Sequence, residues 1–66
     1  MGEKIRELRR WQNMSQAELA KRSGISRQTI SALERGKLKS ALTGTLEAIA
    51  QALGVSVHIF FENSVR

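Results

Sequence analysis

The chain has 66 residues and contains no cysteine and no proline, and this length predicts a single domain spanning 1–66. Without cysteine there is neither a disulfide nor a thiolate zinc site, and one histidine is little material for a metal centre. With no nucleophile–base pair in view either, we predict a protein that is not an enzyme and carries no cofactor or metal. The N-terminus opens on charge, and no apolar run reaches the roughly 18 residues of a membrane span, so we expect a cytoplasmic protein.

Positive charge is concentrated in the first part of the chain. The net charge is +5, but residues 1–39 carry ten Lys and Arg against four Glu, whereas residues 40–66 carry one Arg and two Glu. One part is therefore suited to an anionic partner. Nucleic acid is the favoured partner and an anionic membrane surface is the rival. The plain alternative is a surplus of lysines that serves only solubility.

The first predicted helix spans about residues 3–12. Ile5 and Leu8 stand three apart among charged residues, the spacing of an amphipathic surface helix. Asn13 is a suitable stop because Asn tolerates a positive φ. We expect Trp11 to pack partly against the edge of the core rather than to stand free.

A second helix is predicted over residues 16–23. Ser15 and Glu18 have the spacing of a capping box, in which the serine caps the helix and the glutamate reaches back to it. Gly24 ends this helix. Ser26 is a natural N-cap for the next one, so a turn of only three residues separates the two.

The third helix is predicted over residues 27–35 with Gly36 as its C-cap, followed by a basic loop to about Leu42. The fourth spans about 43–53, where four apolar residues recur at helical spacing: Leu46, Ile49, Ala50 and Leu53. The segment 55–61 is ambiguous from its pattern alone. Its alternating apolar residues suit a strand, whereas Ser56 suits the cap of a short helix.

Two short helices joined by a three-residue turn form a helix-turn-helix. Residues 15–37, Ser-Gln-Ala-Glu-Leu-Ala-Lys-Arg-Ser-Gly-Ile-Ser-Arg-Gln-Thr-Ile-Ser-Ala-Leu-Glu-Arg-Gly-Lys, resemble the XRE family of lambda-repressor-like regulators. The similarity extends over about residues 3–61. It implies an all-α bundle of five short helices, and so favours a helix at 56–61. Ala32 departs from the family, which often has a longer side chain at this position.

The second helix of such a motif enters the major groove with its N-terminal residues nearest the bases. The predicted base contacts are Arg27, Gln28 and Thr29. Arginine can bridge O6 and N7 of guanine, glutamine can bridge N6 and N7 of adenine, and threonine offers a methyl or a hydroxyl group. The plain alternative is a solvated first turn with no ligand.

Phosphate contacts are predicted around this helix, since helix N-termini and basic loops attract anions. The predicted set is Arg9, Ser15, Gln16, Ser26, Ser31, Arg35, Lys37 and Lys39. The family resemblance further implies that Arg9 pairs with Glu34 and so ties the first helix to the third.

The resemblance and the motif together predict a sequence-specific regulator of transcription, most simply a repressor, that binds double-stranded DNA as a homodimer. One helix-turn-helix reads only a few base pairs, so two half-sites are needed for specificity. The low-charge C-terminal part offers the subunit contact, for which we predict Val57, Phe60 and Phe61. The alternative function is an antitoxin-type module that neutralises a toxin and binds DNA secondarily, and a toxin or a polymerase is a possible protein partner. No small-molecule effector is evident.

Overall fold

The computed structural model describes residues 2–37 and 43–61. These contain four α-helices and one short 3₁₀ helix, and no strand. The α-helices are α1, Gly2–Trp11; α2, Gln16–Ser23; α3, Arg27–Glu34; and α4, Thr43–Leu53. The 3₁₀ helix follows at Val57–Phe60. Each predicted α-helix is therefore present within one residue of its expected ends.

The segment 57–60 corrects the expectation of a bundle of five short helices, because the described residues form four α-helices and one 3₁₀ turn. Ser56 caps it as predicted, accepting a hydrogen bond from the backbone N–H of His58 at 3.2 Å. The turn closes through bonds three residues apart, from Ile59 N–H to the Ser56 carbonyl and from Phe61 N–H to the His58 carbonyl. Four residues are too few for an α-helical ladder, so the segment forms a 3₁₀ turn, and the strand alternative is wrong.

One hydrophobic core unites all five elements. Its buried members come from every helix and from the link between α1 and α2: Ile5, Met14, Leu19, Ile30, Leu33, Leu46, Ile49, Ala50, Leu53 and Phe60. The helical spacing seen in the sequence brings these side chains to the inner faces, and α2 packs against both α3 and α4. The core therefore holds the two helices of the motif in a fixed relation.

The prediction that Trp11 packs partly against the edge of the core is wrong. Its side chain is 84% exposed, not packed against the core. Six residues separate it from the buried Ile5, which places it about 120° around the helix from the core-facing side. The next residue, Gln12, is also exposed, but its amide donates a 2.7 Å hydrogen bond to the Leu53 carbonyl and so ties the end of α1 to the end of α4.

Two left-handed residues set the ends of α1 and α2. Asn13 has φ 54° after the end of α1, as predicted, and Gly24 has φ 75° and caps α2 through a hydrogen bond to the Ala20 carbonyl. Gly24 is favoured here because an L side chain at this φ is strained. The chain can thus reverse between α2 and α3 within three residues.

The start of α1 lies directly against the end of α3. A Cβ added at Gly2 would overlap the carbonyl oxygen of Leu33. This close approach requires glycine and places the N-terminal end of one helix against the C-terminal end of the other, an arrangement that the helix dipoles favour. The position of α3 is consequently set by α1 as well as by α2.

Candidate nucleic-acid interface

The helix-turn-helix consists of α2, the turn 24–26 and α3. Ser23 helps to form the turn, since its hydroxyl accepts a 3.2 Å hydrogen bond from the N–H of Ile25, while the Ile25 side chain packs against the core. Ser26 caps α3 by accepting from the N–H of Thr29 at 3.1 Å. These contacts fix the direction in which α3 leaves the turn.

The N-terminus of α2 is capped as predicted, but the capping box is only half formed. Ser15 accepts a 3.0 Å hydrogen bond from the N–H of Glu18. The Glu18 carboxylate does not return to Ser15, because it accepts a 2.7 Å hydrogen bond from Arg22 one turn further along the same helix. The hydrogen bond from Arg22, together with the positive charge of Arg22, lowers the pKa of Glu18.

An open groove of about 480 Å³ runs along the outer face of α3. It is lined by Gln16, Arg27, Gln28, Ser31, Ala32, Arg35 and Lys37. Three of these residues are cationic, and the others offer amide, hydroxyl and methyl groups without any carboxylate. The combination suits an anionic ligand whose surface also presents hydrogen-bonding and apolar groups.

The structure brings together most of the predicted contact residues, but not all. Of the predicted base contacts, Arg27 and Gln28 are exposed and line the groove. Thr29 lies outside the groove lining, and its hydroxyl oxygen accepts a 2.9 Å hydrogen bond from Ser26. Thr29 and Ser26 therefore form the N-terminal cap of α3 and do not line the groove.

The predicted phosphate contacts divide in the same way. Gln16, Ser31, Arg35 and Lys37 line the groove, while Ser15 and Ser26 are the caps of the two helices. Lys39 lies outside the described residues. Ala32, where the family often has a longer side chain, lines the same groove.

Behind the groove lies a network centred on the buried carboxylate of Glu34. Arg9 donates to both of its oxygens, from Nε to Oε2 at 2.8 Å and from Nη2 to Oε1 at 3.0 Å. A third bond runs from Arg9 Nη1 to the Met14 carbonyl at 2.8 Å, and the Gln16 amide donates to Glu34 Oε1 at 3.0 Å. The pairing of Arg9 with Glu34 is thus confirmed, and it joins α1, α2 and α3.

The electrostatics of this network follow from its burial. The side chains of Arg9 and Glu34 are only 11% and 3% exposed, so this is not an ordinary surface pair. Burial by itself would raise the pKa of Glu34, but the hydrogen bonds from Arg9 and Gln16 and the nearby positive charge lower it below its ordinary value. The bond to Glu34 in turn raises the pKa of Arg9. Both groups are therefore charged near neutral pH.

The network also decides what Arg9 and Gln16 can offer to a ligand. Arg9 donates one N–H from each of its three guanidinium nitrogens to protein acceptors and so holds the helices together. Of the five N–H donors of a guanidinium, two are left for a ligand, and the predicted phosphate contact of Arg9 stays a prediction. Gln16 uses one amide hydrogen on Glu34 and lines the groove. Its remaining amide hydrogen and carbonyl oxygen, held in a fixed orientation, are available to a ligand.

The predicted subunit contact is divided by the fold. Phe60 is 6% exposed and belongs to the core, whereas Phe61 is 47% exposed and Val57 is partly buried against the core. In this segment, Phe61 is therefore the aromatic side chain with enough exposed surface to contact a second subunit.

Within the described residues, no helix is long and apolar enough to cross a membrane.

Two short helices that pack against each other across a three-residue turn, the second with an exposed outer face, have the arrangement of helix-turn-helix nucleic-acid-binding domains. Comparison with known proteins agrees: the helix-turn-helix family model matches residues 5–60. The chain belongs to the XRE-type helix-turn-helix family of transcriptional regulators.

Relatives of this chain occur in bacteria, archaea and phage. An uncharacterized HTH-type transcriptional regulator, y4aM of Sinorhizobium fredii, is 41% identical over 63 residues, covering 96% of this chain and 43% of the relative. The immunity repressor protein of Bacillus phage phi105 is 35% identical over 57 residues, covering 86% and 39%. The uncharacterized regulator MJ0272 of Methanocaldococcus jannaschii is 39% identical over 61 residues, covering 92% and 91%.

The chain spans less than half the length of the Sinorhizobium and phage relatives, but nearly the whole of the Methanocaldococcus one. No solved structure matches it.

Proposed function

We propose that this chain is a sequence-specific DNA-binding domain of a transcriptional repressor, acting as a homodimer on two half-sites. The observation that carries the proposal is the groove along α3, in which Arg27 and Gln28 stand exposed at the N-terminal end of the helix. Both side chains have the reach and the donor pattern to read base edges in the major groove. The names of the relatives, which include a phage immunity repressor, favour this function over the antitoxin alternative.

The charges around the groove supply the sequence-independent part of binding. Arg35 and Lys37 follow the base-reading residues toward the C-terminal end of α3, where they are exposed. Gln16 faces them from the first turn of α2, where free N–H groups and the helix dipole favour a phosphate. We infer that these three residues grip the backbone on either side of the bases, with Ser31 between them.

The dimensions of the domain fit a dimer on adjacent half-sites. The chain measures 33 × 21 × 19 Å, and equivalent half-sites on one face of DNA lie about 34 Å apart. In the proposed homodimer the α3 helices of the two copies lie about this distance apart, in successive turns of the major groove. Phe61 and Val57 supply the contact between subunits, with Phe60 behind them in the core.

Selection of bound sequences from random DNA, followed by titration of the chosen site, tests the proposal. Arg27→Ala and Gln28→Ala are each expected to lose about 1–3 kcal/mol of discrimination at one base pair per half-site. Arg22→Ala is the charge-matched control for Arg27→Ala. Arg22 lies at the far end of α2 and pairs with Glu18 outside the groove, so this variant is expected to keep the wild-type sequence preference.

Two outcomes contradict the proposal. A wild-type protein that enriches no sequence from the random pool is not a sequence-specific binder. If both Arg27→Ala and Gln28→Ala retain the wild-type preference while the wild type does select a site, α3 does not read the bases as described.

A further inference from the structure

The outward face of α3 carries one purely apolar side chain between polar ones. Gln28, Ser31, Ala32 and Arg35 lie on this face, opposite the buried Ile30, Leu33 and Glu34. Ala32 stands one helical turn beyond Gln28, about 6 Å further along the axis. It is half-buried and lines the groove, so its methyl group lies at the surface that faces the ligand.

The base opposite Ala32 meets a group that makes no hydrogen bond. In the major groove every base edge presents donors or acceptors, and thymine alone among the four DNA bases adds an apolar group, the 5-methyl. A donor or acceptor that loses its water against the Ala32 methyl is left without a partner, which is unfavourable. The thymine methyl, by contrast, gains from removal of its surface from water.

The side chains on either side of Ala32 support the same assignment. Ala32 is flanked along the helix by the long side chains of Gln28 and Arg35, all three of them in the lining of the 480 Å³ groove. The short side chain leaves a recess between two projecting ones, and a methyl group that stands out from a base edge is the kind of group that fills such a recess.

From this arrangement we propose that Ala32 is a specificity-determining residue that selects a 5-methylpyrimidine, thymine, at the base step beyond the one read by Gln28. This inference rests on the proposed function and makes it more specific. Because the recognised group is the methyl, 5-methylcytosine at the same position is expected to bind more tightly than cytosine.

The test replaces single thymines by deoxyuridine, which removes only the methyl group, in the operator obtained by selection from random DNA. For the wild-type protein one thymine per half-site is expected to lose about fourfold in affinity on this change, the equivalent of one buried methyl group. Two further probes carry cytosine or 5-methylcytosine at that position. The affinity for the 5-methylcytosine probe is expected to exceed that for the cytosine probe by most of the same fourfold factor.

Two variants assign the effect to Ala32. Ala32→Gly removes the protein methyl and is expected to bind the thymine and deoxyuridine probes equally, with circular dichroism confirming that it is folded at the assay temperature. Ala32→Gln keeps a good helix former and fills the recess with an amide, so a repeated selection is expected to favour a different base there. Arg22→Ala, which lies outside the groove, is expected to keep the fourfold difference.

The outcomes separate this inference from the proposed function. A wild-type protein that selects an operator but binds every deoxyuridine probe as tightly as thymine overturns the role of Ala32 alone. A fourfold difference that persists in both Ala32 variants assigns the methyl contact to another residue and also overturns it. Failure to select any operator overturns the proposed function together with this inference.

Discussion

Removal of the Glu34 carboxylate tests how the three helices are held together. In Glu34→Ala the Arg9 guanidinium, whose side chain is 11% exposed, loses two of its three acceptors, and the Gln16 amide loses its partner as well. Removing one member of a buried ion pair costs about 3–5 kcal/mol, because the other charge stays buried without compensation. Arg9 keeps its bond to the Met14 carbonyl, so we expect a loss near the lower end, about 3 kcal/mol.

Urea unfolding followed by circular dichroism measures this loss, and urea is preferred because it does not screen the ion pair as a salt does. Glu18→Ala is the matched control. Glu18 also accepts a short hydrogen bond from an arginine, but the side chains of both members of this pair, Glu18 and Arg22, are exposed. Ion pairs at the surface contribute little to stability. We expect the free energy of unfolding of Glu18→Ala to stay close to that of the wild type.

A second pair of variants separates the charge from the packing. Arg9→Met combined with Glu34→Leu removes both charges and keeps most of the volume, so we expect it to be much more stable than Glu34→Ala alone. If Glu34→Ala loses no more stability than Glu18→Ala, the network does not tie the helices together. If the double variant is as unstable as Glu34→Ala, the cost does not come from an uncompensated charge.

Three further predictions concern pH, salt and the C-terminal segment. Folding lowers the pKa of Glu34 from its ordinary value of 4.5, so the stability that this carboxylate contributes is complete above pH 4.5 and is lost as the pH falls through the folded pKa. Urea unfolding at several pH values measures this loss. The Glu34→Ala variant should lack this part of the acid dependence. Lys37→Ala is expected to weaken binding to all DNA sequences alike and to lower the slope of log K against log salt by about one; a sequence-selective loss with an unchanged slope would contradict a phosphate contact. Phe60→Ser is expected to lower the melting temperature steeply, since emptying a buried phenylalanine site costs about 3–5 kcal/mol. Phe61→Ser should stay folded and sediment as a monomer, and a folded dimer in that variant would exclude Phe61 as the subunit contact.

The helices and the motif follow from local features of the sequence. Spacing of apolar residues, two serine caps and Gly24 with its positive φ are each properties of a few neighbouring residues, so they can be recognised without knowing how the helices pack. For that reason the observed bounds of α2 and α3 are close to the predicted ones, and the helix-turn-helix is recognisable from the sequence. The exposure of Arg27 and Gln28 follows from the same pattern, because the buried face of α3 is defined by Ile30 and Leu33.

Other features depend on which surfaces meet across the core. Trp11 and Gln12 are neighbours in the chain, but the docking of α1 on α4 brings the glutamine amide to the Leu53 carbonyl and leaves the indole in solvent. Likewise Phe60 and Phe61 look equivalent in the sequence, and only the direction of the 3₁₀ turn places one in the core and leaves the other exposed.

The sequence by itself determined the class of fold, the motif and the basic character of the surface, since these depend on composition and short-range spacing. Tertiary structure decided which contact residues share one groove. It engaged Arg9 and Gln16 with the buried Glu34 of α3, and it brought Gln16 of α2 into the same groove as Arg27 and Gln28 of α3. The reason is physical: a side chain's hydrogen-bond partners and exposure are set by residues far away in the chain, and those distances exist only once the helices have packed.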